Sequence, residues 1–426
     1  PGVTTDWVPK TIEELEADGL LELRPGFAEG GHNVEGRGVP HLRPFNVTSD
    51  GRIDLERIKF VAPPPDDSPH WLRPGDVIFN NTNSEDLTGK TALFESEIRC
   101  VPSNHMTVLR ATSAESPDPY WLGAQLRYLW KTGFFKTLLR RYVGQASASL
   151  TRLRTVEIPV PPISEQRAIA HVLRTVQRAK AATHQLIAAT RDLKKSLMRH
   201  LLAYGFVGTR ESSTALALEP EHVDGLPNHW RMKRVREMGT VVTGRTPPTD
   251  AEANFGGPYS FFTPGDIGAE APLCTADRTL SELGLRAARP LSAGTTLVVC
   301  IGASIGKVGI TKAEIAATNQ QINAVVPNET MDPEFLYYSM LNAAGRIAAS
   351  ARRTTMPILS KGSFEELRFP IPPLPEQVKI GASIRALDMK ILAELSRRDA
   401  LSRLFDSLLH DLMTARLRVN DLEILE

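Results

Sequence analysis

The sequence has few cysteines and no long apolar run. Cys100, Cys274 and Cys300 are isolated thiols without the spacing of a zinc site, which fits a reducing compartment. The longest wholly apolar run, residues 297–301, is far shorter than the roughly 20 residues of a membrane-spanning helix. The first residues show no basic segment followed by an apolar one. We therefore expect no signal peptide, no membrane span and a cytoplasmic location.

An excess of charge of one sign is also absent. The 426 residues carry a formal net charge of +1, with 42% hydrophobic and 23% charged residues. This composition is that of a soluble globular protein and argues against disorder. The chain as a whole is not an obvious polyanion binder, so any nucleic-acid contact must depend on local charge. The length predicts two or three domains.

Catalytic motifs are missing as well. The segment "PDPYW", from Pro117, resembles the Asp/Asn-Pro-Pro-Tyr motif of amino-methyltransferases but lacks the second consecutive proline. The segment "GASIGK", from Gly302, has one residue too few between its glycines for a P-loop, and Val308 stands where Ser or Thr is required. No His/Cys cluster has zinc spacing. We predict a chain with no catalytic residue and no metal site.

What the sequence does have is an internal repeat. The segment "IPVPPISEQ" at residues 158–166 returns as "FPIPPLPEQ" at residues 369–377. Upstream, "WLRPGDVIF" resembles "PLSAGTTLVV". The segments "DPYWLGAQLRYL" and "DPEFLYYSMLNA" also resemble each other, and each begins with an Asp-Pro pair that is typical of a helix start. The prolines lack amide donors and make a stiff exit from a strand into a helix. The repeat predicts a globular unit and a long helix, both occurring twice.

Both long helices show an apolar stripe. In the first, the positions that advance by three and four are Ile169, Val172, Val176, Ala179, Thr183, Leu186, Thr190, Leu193 and Leu197. The second has a similar but broader stripe, formed by Ile380, Ile384, Leu387, Ile391, Leu395, Leu401, Leu404, Leu408 and Leu412. Each run of roughly 40 residues is about 60 Å long as a helix. We predict that the two helices pair, antiparallel, as a spacer. The alternative is that each helix packs on its own domain.

The globular units contain short alternating runs between Gly, Pro and Asn turns, which predicts mainly β domains with a few helices. The predicted fold is α+β: two mixed, mainly β domains separated by two long helices that pair as an antiparallel coiled coil, in a pseudo-two-fold tandem repeat. The predicted boundaries are 1–157 for the first domain, 158–205 for a hinge and central helix, 206–368 for a linker and the second domain, and 369–426 for a hinge and C-terminal helix.

Polar loops of similar type occur in both units. Asn and Gln can pair with adenine and Arg with guanine, while Lys and Arg hold phosphates. In the first unit the candidate DNA-binding residues are Asn80, Asn81, Thr82, Asn83, Ser84, Lys90, Asn104, His105, Gln145, Ser147, Arg152 and Arg154. In the second they are Arg245, Thr246, Thr263, Asp266, Ser304, Lys307, Asn319, Gln320, Gln321, Arg352, Arg353 and Thr354. The alternative for each residue is ordinary solvated surface.

With these motifs the sequence resembles the type I restriction-modification specificity subunits, the HsdS family. The resemblance covers nearly the whole chain and is carried by "GDVIFNNTNS", "FTPGDI", "GASIGKVGI", "NQQINAVVP" and the two Pro-Pro hinges. It implies two target-recognition domains, each reading one half of a bipartite, asymmetric DNA site, with the helices setting the gap. It also implies docking of two methyltransferase subunits, which modify adenine with S-adenosylmethionine. Motor-nuclease subunits use ATP and magnesium to cut unmodified DNA. This chain itself would bind no cofactor.

The hinge pairs Glu165–Gln166 and Glu376–Gln377 stand in the first turn of each long helix. A glutamate suits the helix dipole there, but helix capping does not explain why glutamine follows it twice. We expect these four residues to contact the methyltransferase or the opposing helix. The competing hypothesis is a coiled-coil scaffold that joins two protein-binding domains. A self-contained methyltransferase or nuclease is disfavoured by the missing motifs.

Overall fold

The computed structural model describes residues 7–143, 145–206, 222–223, 226–268, 272–351 and 357–419. The chain divides into two compact units. The first comprises Pro1–Ala181 with Asp399–Glu426, and the second comprises Ala182–Arg398. Each unit contains one mainly β domain together with a part of both long helices.

The first domain contains twelve strands and three helices among its described residues. The strands are β1 (Val8–Thr11), β2 (Leu21–Pro25), β3 (Val39–Leu42), β4 (Lys59–Val61), β5 (Val77–Asn80), β6 (Thr82–Asn83), β7 (Thr91–Leu93), β8 (Val101–Pro102), β9 (Met106–Ala111), β10 (Arg140–Tyr142), β11 (Gln145–Ser147) and β12 (Glu157–Val160). The helices are α1 (Ile12–Ala17), α2 (Pro119–Lys131) and α3 (Leu150–Arg154), followed by the first long helix, α4 (Ile163–Tyr204).

The second domain follows the same plan. Its strands are β13 (His222–Val223), β14 (Leu226–Pro227), β15 (Arg231–Arg234), β16 (Gly239–Thr243), β17 (Phe255–Phe262), β18 (Thr279–Leu280), β19 (Leu291–Ser292), β20 (Thr296–Val299), β21 (Val308–Ile310), β22 (Ile315–Thr318), β23 (Ile322–Pro327) and β24 (Arg368–Ile371). Its helices are α5 (Val235–Met238), α6 (Glu282–Ala287), α7 (Pro333–Asn342), α8 (Ala344–Ala349) and α9 (Lys361–Glu365), followed by the second long helix, α10 (Leu374–Met413).

The two domains share their strand order. One sheet runs β2-β9-β5-β7 in the first domain and β16-β23-β20-β21 in the second, with every pair antiparallel. A second sheet runs β4-β3-β8 in the first domain and β18-β17-β22-β19 in the second, and its pairs β3–β8 and β17–β22 are parallel. The first domain has a further sheet, β10-β11-β6. A two-stranded ladder, β1–β12 or β15–β24, closes each domain. The predicted tandem repeat is thereby confirmed.

Local chemistry explains the helix that crosses each main sheet. The Asp118 carboxylate accepts hydrogen bonds of 3.0 Å from the amides of Tyr120 and Trp121, and proline occupies the first turn of α2. The Asp332 carboxylate accepts an equivalent bond of 2.8 Å from Phe335 at the start of α7. The Asp-Pro helix starts predicted from the sequence are confirmed.

The long helices run antiparallel within each unit. In the first unit, Leu173 from the beginning of α4 shares one hydrophobic core with Phe405 and Leu412 from the end of α10. In the second unit, Leu201 from the end of α4 shares a core with Ile380 from the beginning of α10. These cores also contain strands and helices of the domains. Antiparallel pairing is confirmed, and packing on the domains occurs together with it.

The buried face of α4 differs from the predicted stripe at two positions. Leu186 and Leu193 are 37% and 55% exposed, although the heptad pattern counted both as buried. Ile187, which lies outside the predicted stripe, is buried, and the stripe residues Thr183 and Thr190 are buried as predicted. A helix that packs on a domain as well as on another helix buries a broader face than a strict 3.5-residue repeat describes. Within the described residues, no helix has the length and apolar character needed to cross a membrane.

Candidate nucleic-acid interface

Four loops of the second domain meet where its strands end. They follow β16, β17 and β20 and connect β22 to β23. The Arg245 amide donates to the Thr318 carbonyl at 2.9 Å, and the Asn319 amide donates to the Phe262 carbonyl at 3.3 Å. The Cys300 amide donates to the Gln321 carbonyl at 2.8 Å. These bonds join segments far apart in sequence into one surface, which we call the second strand-end surface.

Several predicted site residues face one another on this surface. The Thr246 hydroxyl donates to Gln320 Oε1 at 2.7 Å, and Asn319 Nδ2 donates to Gln321 Oε1 at 3.0 Å. The side chains of Arg245 and Gln320 are exposed. Because amide and guanidinium groups are held here on short loops, the surface offers several donors and acceptors at one place.

The loop after β17 is closed by its own carboxylate. The Thr263 amide and hydroxyl both donate to Asp266 Oδ2 at 2.7 Å, so this carboxylate stabilises the turn. Gly268 of the same loop lies beside Lys307, and a Cβ at Gly268 would stand 3.4 Å from the lysine Cδ. Lys307 is exposed and Ser304 half-buried. The predicted residues Arg352, Arg353 and Thr354 lie outside the described residues.

The first domain joins its loops in the same way. The Asn81 amide donates to the His105 carbonyl at 2.9 Å, and the Ala148 amide donates to the Asn81 carbonyl at 2.9 Å. Strand β11 pairs with β6, which places Ser147 opposite Thr82, and their hydroxyls lie 3.3 Å apart. We call this the first strand-end surface. Its exposed predicted residues are Ser84, Asn104, His105 and Gln145, and Asn83 is half-buried.

Other predicted residues of the first domain have roles inside the fold. Asn80 ends strand β5, is 0% exposed, and donates from Nδ2 to the Pro44 carbonyl at 3.0 Å. Lys90 is also buried, and this burial lowers its pKa. Arg154 pairs with Glu16 through bonds of 2.7 and 3.1 Å, which raise the arginine pKa, and Arg152 donates to the Leu138 carbonyl at 2.6 Å. Arg152 is still exposed, but the burial of Asn80 and Lys90 and the pairing of Arg154 make the exposed set of this domain smaller than the sequence predicted.

The backbone framework of the two surfaces is the same. A Cβ at Gly26 would lie 1.8 Å from the Ser103 carbonyl oxygen, and one at Gly244 would lie 2.1 Å from the Asn319 carbonyl oxygen. Both positions therefore require glycine, because two backbones approach closely. Gly89–Lys90 and Gly306–Lys307 also correspond, since the amide of each glycine donates to the last carbonyl of β5 or β20 at 2.9 Å. Lys90 is buried whereas Lys307 is exposed.

Two residues on the loop after β3 were not predicted from the sequence, Arg43 and Phe45. The Arg43 guanidinium lies 5.4 Å from the ring centre of Phe45, and this ring is 49% exposed. The loop adjoins the first strand-end surface, because the Ser103 amide donates to the Leu42 carbonyl at 2.7 Å. An exposed aromatic ring beside an arginine is a combination that stacks on bases. The only signal in the sequence was "RPFN" after a short apolar strand.

The hinge pairs form a joint between domain and helix in each unit. Glu165 accepts from Trp7 Nε1 at 3.0 Å and from Arg418 at 2.6 and 2.9 Å. Glu376 lies 2.8 Å from His229 Nε2. Gln166 and Gln377 are 3% and 1% exposed, and both are fully engaged with backbone groups of their own unit. The glutamines are thus explained by the fold, and docking by these pairs stays a prediction.

Two features of the described part of the chain bear on metal binding and on thiol reactivity. No group of three or more His, Cys, Asp and Glu side chains is placed to hold a metal ion there. The thiols of Cys100 and Cys300 are buried, and this burial raises their pKa to about 12 and about 11. A thiol with so high a pKa is a poor nucleophile.

Known proteins resemble this chain in sequence. A family model for the type I restriction modification DNA specificity domain matches residues 72–190 and 227–400, about two thirds of the chain. The protein named as the type I restriction enzyme MjaX specificity subunit of Methanocaldococcus jannaschii is 23% identical over 423 residues, which is 97% of this chain and 95% of that protein. The HindI specificity subunit of Haemophilus influenzae is 25% identical over 175 residues, or 39% of this chain and 38% of that protein.

Solved structures show the same fold. The S subunit of a type I restriction-modification system from M. genitalium matches with a TM-score of 0.62 and 15% identity, over 96% of this chain and 97% of that chain. A chain from work on complex assembly and conformational transition of the type I R-M system matches with a TM-score of 0.56 and 17% identity, over 98% and 100%.

Proposed function

The chain belongs to the type I restriction-modification specificity subunit family, and we propose that each of its domains reads one half of a bipartite, asymmetric DNA site. In this proposal the two strand-end surfaces contact bases and phosphates. The long helices set the gap between the half-sites and dock two methyltransferase subunits.

The observation that carries the proposal is a shared framework with different side chains. Both domains hold the same loops by the same backbone bonds, but His105 stands where the second domain has Gln321, and buried Lys90 where it has exposed Lys307. A repeated scaffold with unlike polar groups suits the reading of two different half-sites, since sequence is read by side chains on base edges.

The weak overall charge is compatible with this function. Exposed Arg245 and Lys307 supply positive charge on the second strand-end surface, where it would meet phosphates. A chain with a net charge of +1 cannot rely on long-range attraction to DNA. Partner subunits that clamp the duplex would supply the remaining phosphate contacts.

The first experiment tests base reading by Arg245. Cells expressing the chain with its cognate methyltransferase are analysed by methylome sequencing, with Arg245→Ala compared with Arg286→Ala. Arg286 is an exposed arginine of the same domain, paired with Glu282 on α6. We expect Arg245→Ala to relax or change one half of the methylated motif and Arg286→Ala to leave both halves intact. A motif unchanged by Arg245→Ala in a folded protein contradicts base reading by this residue.

A second experiment exchanges a loop of the first domain. Because Asn80 and Lys90 are buried, the exchange is limited to residues 81–87 between them. We expect it to alter the other half of the motif only. Changes in both halves would contradict the division of reading between the domains.

Exposed apolar side chains support docking on the long helices. Leu186 and Leu193 on α4 are exposed, and Met389 on α10 is 58% exposed. Apolar groups exposed on a helix are candidates for a partner surface. We expect Leu193→Glu to reduce co-purification of the methyltransferase, whereas Leu283→Glu, at a 58% exposed leucine on α6, does not. Equal co-purification of both variants contradicts this docking surface.

In this proposal, the gap between the half-sites and the enzymatic reactions depend on the assembled complex with its partner subunits. Inserting one heptad into α4 and α10 together is expected to change the preferred gap, and an unchanged gap with intact assembly contradicts a spacer role. Methyltransferase subunits would modify adenine with S-adenosylmethionine, and motor-nuclease subunits would use ATP and magnesium. The second candidate function, a scaffold joining two protein-binding domains, predicts that no bipartite motif depends on this chain.

A further inference from the structure

A cavity of about 360 Å³ lies inside the first unit. Helix α2, strand β7 and the loop around Asp50 form its walls, and Gln177 of α4 and Phe405 of α10 close one side. Phe94 and Tyr120 add aromatic surface to the lining. The volume falls in the range of small-molecule sites, about 300–1,000 Å³, and the combination of apolar walls with a few polar groups is typical of them.

One of these polar groups is a buried guanidinium. Arg127 is 6% exposed, and its guanidinium carbon lies 4.5 Å from the ring centre of Phe405. Its Nε has no hydrogen-bond partner, and among the described residues no carboxylate forms an ion pair with it. Burial lowers the pKa of Arg127, but a guanidinium remains charged in a protein. A buried charge of this kind calls for an anion.

The neighbouring carboxylates are engaged elsewhere. Asp50 accepts from the Thr48 hydroxyl at 2.6 Å and from Arg52 Nε at 2.8 Å. Asp406 forms its ion pair with Lys131. Arg127 is therefore surrounded by acidic groups that already have cationic or hydroxyl partners.

A second polar group of the cavity has an unused hydrogen-bond acceptor. Gln177 Nε2 donates to the Asp50 carbonyl at 3.2 Å, while the buried Oε1 atom has no partner. This oxygen is an acceptor and requires a donor such as a hydroxyl or amine. Both unpartnered groups belong to residues that line the same cavity.

The second unit shows what fills the equivalent place. Counted from their capping aspartates, α2 has Gly123 and Ala124 where α7 has Tyr337 and Tyr338. Arg127 corresponds in the same way to Leu341. The second unit thus has two large buried side chains where the first has only a glycine and an alanine. It also has an apolar leucine where the first has the charged Arg127.

Asp388, which pairs with Tyr338 in the second unit, also has a counterpart in the first unit. Asp388 stands eleven residues after Gln377, as Gln177 stands eleven after Gln166. The Tyr338 hydroxyl donates to Asp388 at 2.7 Å, and Lys194 lies 2.5 Å from the other carboxylate oxygen. The second unit closes this region with a tyrosine, aspartate and lysine network. The first unit has Ala124 at the position of this tyrosine, so Gln177 lacks the corresponding bond.

We propose that this cavity binds a small organic anion. Its carboxylate or phosphate group pairs with Arg127, a hydroxyl or amine donates to Gln177 Oε1, and an aromatic or apolar body packs against Tyr120 and Phe405. Bound there, the ligand joins α2 to both long helices within the first unit and stiffens that joint. The proposal does not depend on DNA reading by the domain.

The test uses the full chain and three probes: 4-hydroxybenzoate, 4-hydroxyphenyl phosphate and the neutral 4-hydroxybenzamide. Isothermal titration and thermal unfolding measure binding. We expect at least one anion to bind saturably, one per chain, and to raise Tm, while the amide does neither. A carboxylate as tightest binder assigns a carboxylic acid and a phosphate as tightest binder assigns a phosphoester.

Variants separate the proposal from incidental binding. Arg127→Leu, which introduces the residue found at position 341, is expected to weaken anion binding about tenfold or more, whereas Arg286→Leu at an exposed site leaves it unchanged. The double variant Ala124→Tyr with Gln177→Asp rebuilds the second unit's pair and is expected to abolish binding.

One readout needs no ligand. Asp50 and Asp406 attract Arg127, but no carboxylate of the described residues forms an ion pair with this buried cation. Arg127→Leu is therefore expected to raise the Tm of the chain without any probe. A lower Tm shows that the guanidinium is structural and overturns the proposal. Failure of both anions to bind saturably, equal binding of the amide, or unchanged binding to Arg127→Leu also overturns it.

Discussion

Gln166 in the first turn of α4 accepts a hydrogen bond of 2.8 Å from the backbone amide of Asp118, 48 residues earlier in the chain. Its Nε2 donates to the Pro161 carbonyl at 2.8 Å. In the second unit, Gln377 accepts from the Asp332 amide at 2.9 Å and donates to the Pro372 carbonyl at 2.9 Å. One glutamine therefore ties the hinge to the start of the helix that crosses the sheet, in both copies.

Replacing this glutamine should destabilise the first unit. Gln166→Leu leaves the Asp118 amide and the Pro161 carbonyl without partners in a buried place, which costs about 1–3 kcal/mol. Urea unfolding of the full chain measures the loss. Gln185→Leu, at an exposed glutamine of the same helix, is the matched control and should change stability by less than about 0.5 kcal/mol. Equal stability of the two variants would refute the role of the bonds.

The ion pair between α4 and α10 in the second unit should be costly to break. Lys194 and Asp388 have side chains that are 15% and 9% exposed. Lys194→Met removes one partner and leaves a largely buried carboxylate, which we expect to lower the free energy of unfolding by about 3–5 kcal/mol. Lys195→Met removes the exposed neighbouring charge and should have little effect. Similar losses in both variants would contradict the assignment.

The buried His41 should make stability depend on pH. Burial, and then the neighbouring His32, lower the pKa of His41 to about 4 from an ordinary value of 6.5, and Glu29 and Arg43 are the nearby charges. Between pH 6.5 and 4, His41 is protonated in the unfolded state but stays neutral in the folded state. The free energy of unfolding should therefore fall as the pH falls through this window, by up to about 3 kcal/mol.

Unfolding in urea at pH 5.0 and 7.5 checks this dependence. His41→Gln should lose most of the difference between the two pH values, even where its stability is lower at both. His184→Gln, at an exposed histidine of α4, should keep the wild-type difference. A slope that survives in His41→Gln would assign the pH dependence to other groups.

The close approach at Gly244 should tolerate no side chain. Gly244→Ala places a Cβ 2.1 Å from the Asn319 carbonyl oxygen and forces the loops of the second strand-end surface apart. We expect a loss of about 2 kcal/mol or more and a changed half-site in the methylome. Gly345→Ala, in α8 with nothing within 4 Å of the added Cβ, should stabilise the chain by about 0.5–1 kcal/mol. A neutral Gly244→Ala would contradict the described loop packing.

Much of the fold could be predicted because it depends on local sequence patterns. Prolines, Asp-Pro helix starts and apolar stripes recur in both halves of the chain, and each depends on neighbouring residues only. The exact buried face of α4 could not be predicted, as Leu186 and Leu193 show. Which face is buried depends on the elements that pack against the helix, and these are distant in sequence.

The candidate interface was predictable as a set of loops but not residue by residue. Residues 319–321 were identified from their composition and do form part of a surface. Asn80 and Arg154 are also residue types that can contact DNA. However, Asn80 ends a buried strand and Arg154 pairs with Glu16, 138 residues away. Residue type indicates what a side chain can bind, whereas exposure depends on packing.

By itself, the sequence determined the duplication, the long helices and the absence of recognisable catalytic motifs, since these are properties of order and spacing along the chain. Only the tertiary structure decided which polar groups remain exposed, why Gln follows Glu at each hinge, and that Arg127 lines a cavity of the first unit. The physical reason is that hydrogen bonds, burial and cavities are set by contacts between residues far apart in the chain, such as Gln166 with Asp118 and Tyr338 with Asp388.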